Sequence, residues 1–487
     1  MVATERRKWL ALALLSAVQF MVVLDIAIVN VALPSIKVDL GFSQENLQWV
    51  ISAYALFFGG FLLLGGRAAD LLGRRRLFLA GLVLFTLSSL LAGLAWSEAS
   101  LIAARSFQGL GAAVISPAAL SILSTTFTEG RERNIALGVW GAVGGFGAAA
   151  GVLLGGVLTE ALSWSWIFFV NVPVGVVAFF LTPRLLNESR DASVKSFDAA
   201  GAVLVTSGLV ALVYAITQSG RYGWASGRTI GVFAASLVLL AGFVLWERRH
   251  AEPLMRFGIL RTKTIAGANA GGFILGTATF SMFLMLTLYM QQVLGYSPMK
   301  TGAAYLAVAG SAILWSAVAA QLVNRIGVKP VLVTGMVALT SGLVYFTQVS
   351  VHGTYLSDLL PGFLLVGVGL GFSFVPISIA ALAGVQPAEA GLASGLFNTT
   401  QQIGGALGIA ALSTIATSHT TDALKVGTAL PSALVDGFTA AFIVGVGVAA
   451  VGVLAALTLI RRDELEQAPN ELEQAPNELE AVLDLAA

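Results

Sequence analysis

Apolar stretches of about 20 residues recur along nearly the whole chain, and that is the length a helix needs to cross a bilayer. Short charged or Pro/Gly-rich breaks separate them. The ten-residue alternation of a membrane β-barrel is absent. The pattern predicts helices near residues 9–34, 47–68, 76–96, 99–122, 133–158, 164–186, 197–217, 229–247, 264–292, 298–324, 329–350, 356–384, 390–417 and 435–460, about fourteen spans in all. The chain therefore reads as an all-α integral membrane protein. Arg6, Arg7 and Lys8 ahead of an apolar run have the look of a secretory leader, but the run continues past Asp25 to Pro34, so it reads as a retained first helix.

Composition agrees: 57% of residues are hydrophobic and 11% charged, against about 25% charged in a soluble domain. The net charge is +1 and the cations sit in short loops, which leaves no basic face for nucleic acid. With no Cys, disulfides, thiol catalysis and Cys-based metal sites are excluded. His250, His352 and His419 are scattered without metal-ligand spacing, and no Gly-Lys pair exists to build an ATP phosphate loop. These features point away from an enzyme, an ATP-driven pump, and any metal or organic cofactor.

With the N-terminus on the cytoplasmic side, twenty-one of the 27 Lys and Arg residues fall inside, and Lys37, Arg221, Arg228, Lys300 and Lys425 fall outside. An even number of helices, with both termini inside, preserves that bias. Two local alignments suggest an internal repeat: residues 69–74 match 323–328, and 101–111 match 359–369, at offsets of 254 and 258. Both shift by eight helices. Two six-helix bundles, 1–190 and 263–460, are thus expected to flank two inserted helices and a linker in 191–262. Asp70 corresponds to Asn324 and Arg105 to Phe363, so the ionisable groups are confined to the first half. Residues 461–487 carry an acidic seven-residue repeat whose recurring Pro prevents a coiled coil, and they read as a disordered cytoplasmic tail.

Asp25 interrupts the first apolar run. A carboxylate at such depth costs a few kcal/mol or more, so it is expected to be paired or protonatable and to mark a functional site. Arg105 is the one cation well inside another span. At about 1.5 Å per residue, Asp25 lies roughly 13 Å and Arg105 roughly 9 Å from the outer ends of their helices, at similar depths. Desolvation favours the protonated carboxyl and a guanidinium favours the ionised one, so a change in either would load or release a proton. Asp25 is the expected carrier, with Arg105 and the nearby Gln108 as tuners of its affinity. A cationic substrate could compete with the proton for Asp25. A permanent ion pair tying two helices together is the simpler alternative.

The motifs carry a family resemblance across almost the whole chain. Residues 66–76 (GRAADLLGRRR) resemble the loop 2–3 signature of the major facilitator superfamily. Residues 24–34 (LDIAIVNVALP), 164–175 (WSWIFFVNVPVG), 288–297 (LYMQQVLGYS) and 391–408 (GLASGLFNTTQQIGGALG) are similar to its fourteen-helix drug:proton antiporter branch. The resemblance implies the major facilitator fold, with two six-helix bundles and two additional helices between them, and it places helices 1 and 4 side by side. Residues 147–156 (GAAAGVLLGG) resemble the antiporter motif of helix 5, carried by Gly147, Gly151, Gly155 and Gly156. Val152 stands where the family usually has Pro, which puts a Pro-dependent kink in doubt. Ser165 and Ala27 depart from the Arg and Thr common in the branch. In the loop signature, Gly66 permits close approach, Asp70 closes helix 2, and Gly73 leads into Arg74, Arg75 and Arg76, which can pair with Asp70 or with helix C-termini. Such a set can act as a conformational latch or simply enforce topology.

Phe280, Met282, Phe283, Met285, Tyr289 and Met290 on helix 9 form a soft surface suited to promiscuous binding. Asn30, Tyr54, Asn398, Gln401 and Gln402 add uncharged hydrogen-bonding groups at membrane depth. Helix–helix packing would explain the same residues equally well. The second half has no deep acidic residue, which favours monovalent lipophilic cations or neutral amphipathic compounds over divalent ones. The reading is a monomeric exporter of lipophilic drugs or antibiotics in a bacterial cytoplasmic membrane, driven by the proton gradient as an antiporter with alternating access. Its partners are the small substrate, protons and the bilayer, with no nucleic acid. An exporter of an endogenous metabolite, lipid or siderophore, or a proton symporter, is the alternative on the same fold.

Overall fold

The computed structural model describes residues 2–127, 131–190, 198–250, 253–255, 257–383, 385 and 390–461. The acidic repeat of 461–487 lies almost wholly outside them. Every regular element among the described residues is helical. The long helices are α1 (Val2–Leu40), α2 (Trp49–Leu72), α3 (Arg74–Gly93), α4 (Glu98–Thr126), α5 (Arg131–Ala161) and α6, in two pieces (Trp166–Phe169 and Asn171–Leu185). Then come α7 (Ala199–Tyr222), α8 (Gly227–Arg249), α9 (Lys263–Leu288) and α10, again in two pieces (Pro298–Ala304 and Leu306–Ile326). The last four are α11 (Val328–Phe346), α12 (Leu360–Ala381), α13 (Ala390–Lys425) and α14 (Leu430–Leu459). Among the described residues, 12 of these helices are long and apolar enough to cross a membrane. The other two of the fourteen expected are α5, in which the described residues give the shorter apolar helix Phe146–Ala161, and α13, whose run Asn398, Thr399, Thr400, Gln401 and Gln402 dilutes its apolar character.

Helix ends depart from the apolar pattern where polar residues continue a helix past its greasy segment. α1 begins at Val2 and passes through Pro34 to Leu40, and α13 extends to Lys425 rather than ending near 417. Hydropathy marks the membrane; hydrogen bonding marks the helix.

The two halves repeat one packing scheme. A Cβ at Gly109 on α4 would lie 2.4 Å from the Tyr54 carbonyl on α2, and one at Gly367 on α12 would lie 2.9 Å from the Val308 carbonyl on α10. Likewise Gly111 abuts Phe85 on α3 and Gly369 abuts Leu339 on α11. Both contacted residues shift by 254 positions between the halves, the offset found in the sequence. Small residues therefore set the same close helix crossings twice.

Contacts between the halves concentrate at two seams. At one, Gly156 on α5 would place a Cβ 2.5 Å from the Pro298 carbonyl, and Gly302 on α10 would place one 2.4 Å from the Val152 carbonyl. This reciprocal approach lies at the end of the bundle opposite the basic Arg74, Arg75 and Arg76. Glu160 accepts from the Met299 amide there at 2.9 Å, and Gln291 Nε2 donates to the Val31 carbonyl at 2.8 Å. At the other seam α2 meets α13: Thr399 Oγ1 donates to the Gly59 carbonyl at 3.1 Å. α7 lies against both helices of this seam, with Gln48 Nε2 donating to Thr217 Oγ1 at 2.9 Å and Thr414 Oγ1 to the Ile216 carbonyl at 3.3 Å. α8 packs on α7 and turns Leu237, Val238 and Leu245 outward.

Candidate functional site

Asp25 and Arg105 meet in the first half, both buried, with Arg105 Nη1 donating to Asp25 Oδ2 at 2.5 Å. Removing two charges from water costs several kcal/mol per ion, so such a pair persists only when its remaining hydrogen-bonding capacity is filled. Here it is filled. Gln108 Nε2 and Asn171 Nδ2 both donate to Asp25 Oδ1, at 2.8 and 2.9 Å. Arg105 Nη1 also donates to Gln108 Oε1 at 2.7 Å, and Arg105 Nε to the Val50 carbonyl at 2.9 Å. Tyr54 lies under the guanidinium with its ring centroid 4.3 Å away, a cation–π contact strengthened by desolvation.

Local sequence explains how each group arrives. Asp25 directly follows Leu24 and lies one turn before Ile28, and the backbone of both is approached by Gly151 and Gly155 of α5: Cβ atoms there would lie 2.9 Å from the Leu24 carbonyl and 2.6 Å from the Ile28 carbonyl. Gly147 continues the stripe against Val23. Three of the four antiporter-motif glycines thus seat α5 on the stretch of α1 that carries Asp25, and Gly156 faces α10 instead. Arg105 and Gln108 are three residues apart on α4, hence on one face.

Asn171 and Ser89 complete the site. Ser89 Oγ accepts from both Gln108 and Asn171 at 3.1 Å and donates to the Phe168 carbonyl at 2.9 Å. Neither was singled out from sequence. The available signal was an Asn at membrane depth within the 164–175 motif, a polar group that a bilayer tolerates only with partners.

In the loop signature, Arg74 Nε donates to Asp70 Oδ1 at 2.8 Å, and Ser121 Oγ on α4 adds a bond at 3.3 Å. Gly73 takes φ +115°, a conformation suited to glycine, and joins α2 to α3. Glu188, after α6, accepts from the Arg75 amide at 3.1 Å and lies 3.8 and 3.7 Å from Arg75 and Arg76. Arg75 also reaches the Leu186 carbonyl at 3.3 Å, at the end of α6. Gly66 packs on Pro117 of α4. Glu188 was not anticipated, because no spacing rule links a loop carboxylate to a helix more than a hundred residues earlier.

The residues expected to bind substrate are dispersed. Tyr54 joins the Asp25 cluster. Met285 and Tyr289 are closed within the second half, where Tyr289 donates to the Ser350 carbonyl at 2.6 Å, and Phe283 packs on Tyr305. Asn30 Nδ2 donates to the Ile26 carbonyl of its own helix at 3.2 Å, and the exposed Asn398 does the same to Ser394 at 3.0 Å. Gln402 lies buried at the α2–α13 seam beside Gly59, its Oε1 unpaired. Among the described residues, no three His, Cys, Asp or Glu side chains cluster as metal ligands would.

The same architecture recurs in solved transporters. The chain superposes on the nucleoside transporter NupG with a TM-score of 0.65 at 13% identity, covering 93% of this chain and 100% of that one. The peptide transporter POT in complex with sulfate gives a TM-score of 0.66 at 15% identity over 92% and 93% of the two chains. At such identity the likeness establishes the fold alone. In sequence, the chain is 40% identical over 463 residues to the puromycin resistance protein pur8 of Streptomyces alboniger, covering 94% of this chain and 92% of that one. It is 40% identical over 414 residues to the cephamycin export protein CmcT of Amycolatopsis lactamdurans, covering 84% and 85%. The multidrug resistance protein Stp of Mycobacterium tuberculosis is 36% identical over 396 residues, covering 81% and 73%. The Major Facilitator Superfamily profile matches residues 15–409. With its helical membrane architecture, repeated packing scheme and this match, the chain is a multi-pass membrane transporter that belongs to the Major Facilitator Superfamily.

Proposed function

We propose that this transporter exports lipophilic drugs or antibiotics in exchange for protons, with Asp25 as the proton carrier. The observation that carries the reading is the buried carboxylate at membrane depth, paired with Arg105 and held by further donors from α4 and α6. A fixed strut between helices needs no titratable group, and an apolar contact of the same shape would serve it at lower cost. The resistance and export proteins among its relatives supply the substrate class. The lack of any described Asp or Glu buried in the second half favours monovalent cationic or neutral amphipathic compounds.

In this reading, 1–190 and 263–460 are two bundles that rock about the α5–α10 and α2–α13 seams, and the α7–α8 hairpin rides on the second seam. The Asp70, Arg74, Arg75 and Glu188 cluster is a latch on the basic face, which is cytoplasmic, as are both termini, in the cell membrane. Transport then needs no cofactor beyond the proton gradient. Reconstituted vesicles loaded with ethidium or with puromycin and given an imposed pH gradient test this. Wild type moves substrate against the proton flow and Asp25→Asn does not. Full gradient-driven transport by Asp25→Asn rejects the role of Asp25, and movement of substrate along with protons makes the protein a symporter.

A further inference from the structure

Around Asp25 the hydrogens of the two amides, of the Ser89 hydroxyl and of Arg105 Nη1 all find acceptors. The two amide hydrogens of Gln108 go to Asp25 Oδ1 and Ser89 Oγ, and those of Asn171 go to the same two atoms. Ser89, with both lone pairs taken, sends its own hydrogen to the Phe168 carbonyl. Arg105 Nη1 divides its hydrogens between Asp25 Oδ2 and Gln108 Oε1. All bonds to Asp25 are donated to it, so this network suits the ionised carboxylate and offers a protonated one no acceptor.

A proton arriving on Oδ1 would confront two N–H groups. One of the two amides must turn over and present its oxygen. Gln108 is held against turning, because its Oε1 is pinned by the Arg105 guanidinium and rotation would set donor against cation. We infer that Asn171 is the amide that turns, a positioning residue that donates to ionised Asp25 and accepts from protonated Asp25. This rests on the reading of Asp25 as the proton carrier.

The consequence reaches a break in a helix. Pro173 has no N–H for the Phe169 carbonyl, and the helix is interrupted at Val170, immediately before Asn171. Once the Asn171 oxygen faces Ser89, the Ser89 hydroxyl turns toward it and releases the Phe168 carbonyl. Protonation of Asp25 on α1 thereby loosens α3 from the first piece of α6. Among the described residues, the other charged or titratable groups facing the site are Arg105 on α4 and Tyr54 on α2, whose buried hydroxyl has no partner among them.

The test is an infrared titration of the purified protein, following the C=O stretch of the protonated carboxyl, with the Asp25 band identified by its loss in Asp25→Asn. A charge-assisted donor outweighs an acceptor to a neutral carboxyl, so Asn171→Ala shifts the midpoint of this band upward by about one pH unit. Asn171→Ser, which can donate or accept, returns the midpoint toward wild type, and Tyr54→Phe leaves it in place. An unshifted midpoint in Asn171→Ala, or a shift in Tyr54→Phe alone, overturns the role of Asn171 while leaving Asp25 as the carrier. If no titrating band depends on Asp25, the carrier reading fails and this inference with it. Should Asn171→Ala not fold, Asn171→Leu keeps the volume and removes both functions, and the same shift is expected.

Discussion

Arg105 on α4 and Phe363 on α12 hold corresponding places in the two halves, and the first anchors a buried ion pair where the second centres an aromatic cluster. Phe363 packs on Tyr305, Phe346 and Tyr355 with centroids 5.4, 5.5 and 6.3 Å away. Arg105 keeps two aromatic neighbours, the rings of Tyr54 and Phe168 at 4.3 and 5.7 Å, and gains Asp25. The repeat supplied one scaffold, and charge differentiates its first copy from its second.

The ion pair predicts strong energetic coupling. Arg105→Ala leaves Asp25 buried with amide donors only and is expected to cost about 3–5 kcal/mol, unless the carboxyl takes up a proton. Asp25→Asn with Arg105→Ala should recover about 1 kcal/mol or more relative to additivity. Unfolding of the purified single and double mutants measures this, and additive costs would contradict the pairing.

The α5–α10 seam predicts a gating effect. A leucine at position 156 cannot fit where even a Cβ would lie 2.5 Å from the Pro298 carbonyl, so Gly156→Leu should hold this seam open. The chain has no Cys, and Thr301, fully buried on α10, can be replaced singly by Cys. Its thiol labelling should rise about tenfold in Gly156→Leu if the substitution costs ~1.4 kcal/mol of closure. Equal labelling in both backgrounds would show that the glycine approach does not gate this face.

The loop cluster predicts small effects at two neighbouring positions, since a Cβ at Gly73 would lie 2.8 Å from Glu188 Oε1. Glu188 pairs with partly exposed arginines, which is worth at most about 1 kcal/mol. Its bond to the Arg75 amide adds a capping contribution of about 1 kcal/mol. Glu188→Gln should therefore lower stability modestly, and Gly73→Ala should cost about 1 kcal/mol or more through its positive φ. Thermal unfolding measures both; a large loss in Glu188→Gln would mean that the carboxylate holds more than α3.

The contact of α7 with α2 predicts a compensating pair. A Cβ at Gly60 would lie 2.1 Å from Thr206 Oγ1, so Gly60→Ala should push α7 from α2, and Thr206→Ala should relieve it. Crosslinking between positions 48 and 217, whose side chains are hydrogen-bonded, reads the displacement. If Gly60→Ala leaves crosslinking unchanged, the Thr206 side chain turns aside and α7 is not displaced.

Much of this was legible in the chain. Asp25 and Arg105 stood out because charge in an apolar run is costly enough to need a reason, and both Gly pairs of the repeat reappear as the same helix crossings. The helix-5 glycines were visible as a stripe, though not that Gly156 turns from α1 to α10. Asn171 gave only the weak signal of an amide at membrane depth, and Ser89 and Glu188 were hidden because a hydroxyl or a loop-borne carboxylate is unremarkable until tertiary contacts select its partners. The expected aromatic and Met surface, on α9 and the segment just after it, includes Met282, Met285, Tyr289 and Met290, all buried. Composition alone cannot separate an adaptable binding wall from a packed interior.

The most direct test of the central claim compares two transport modes in reconstituted vesicles. Wild type should show both proton-driven accumulation of ethidium and ethidium counterflow in the absence of a gradient. Asp25→Asn should retain counterflow and lose accumulation, since the protein still alternates but carries no proton. Accumulation by Asp25→Asn at the wild-type level under the same pH gradient would contradict the assignment of Asp25 as the proton carrier.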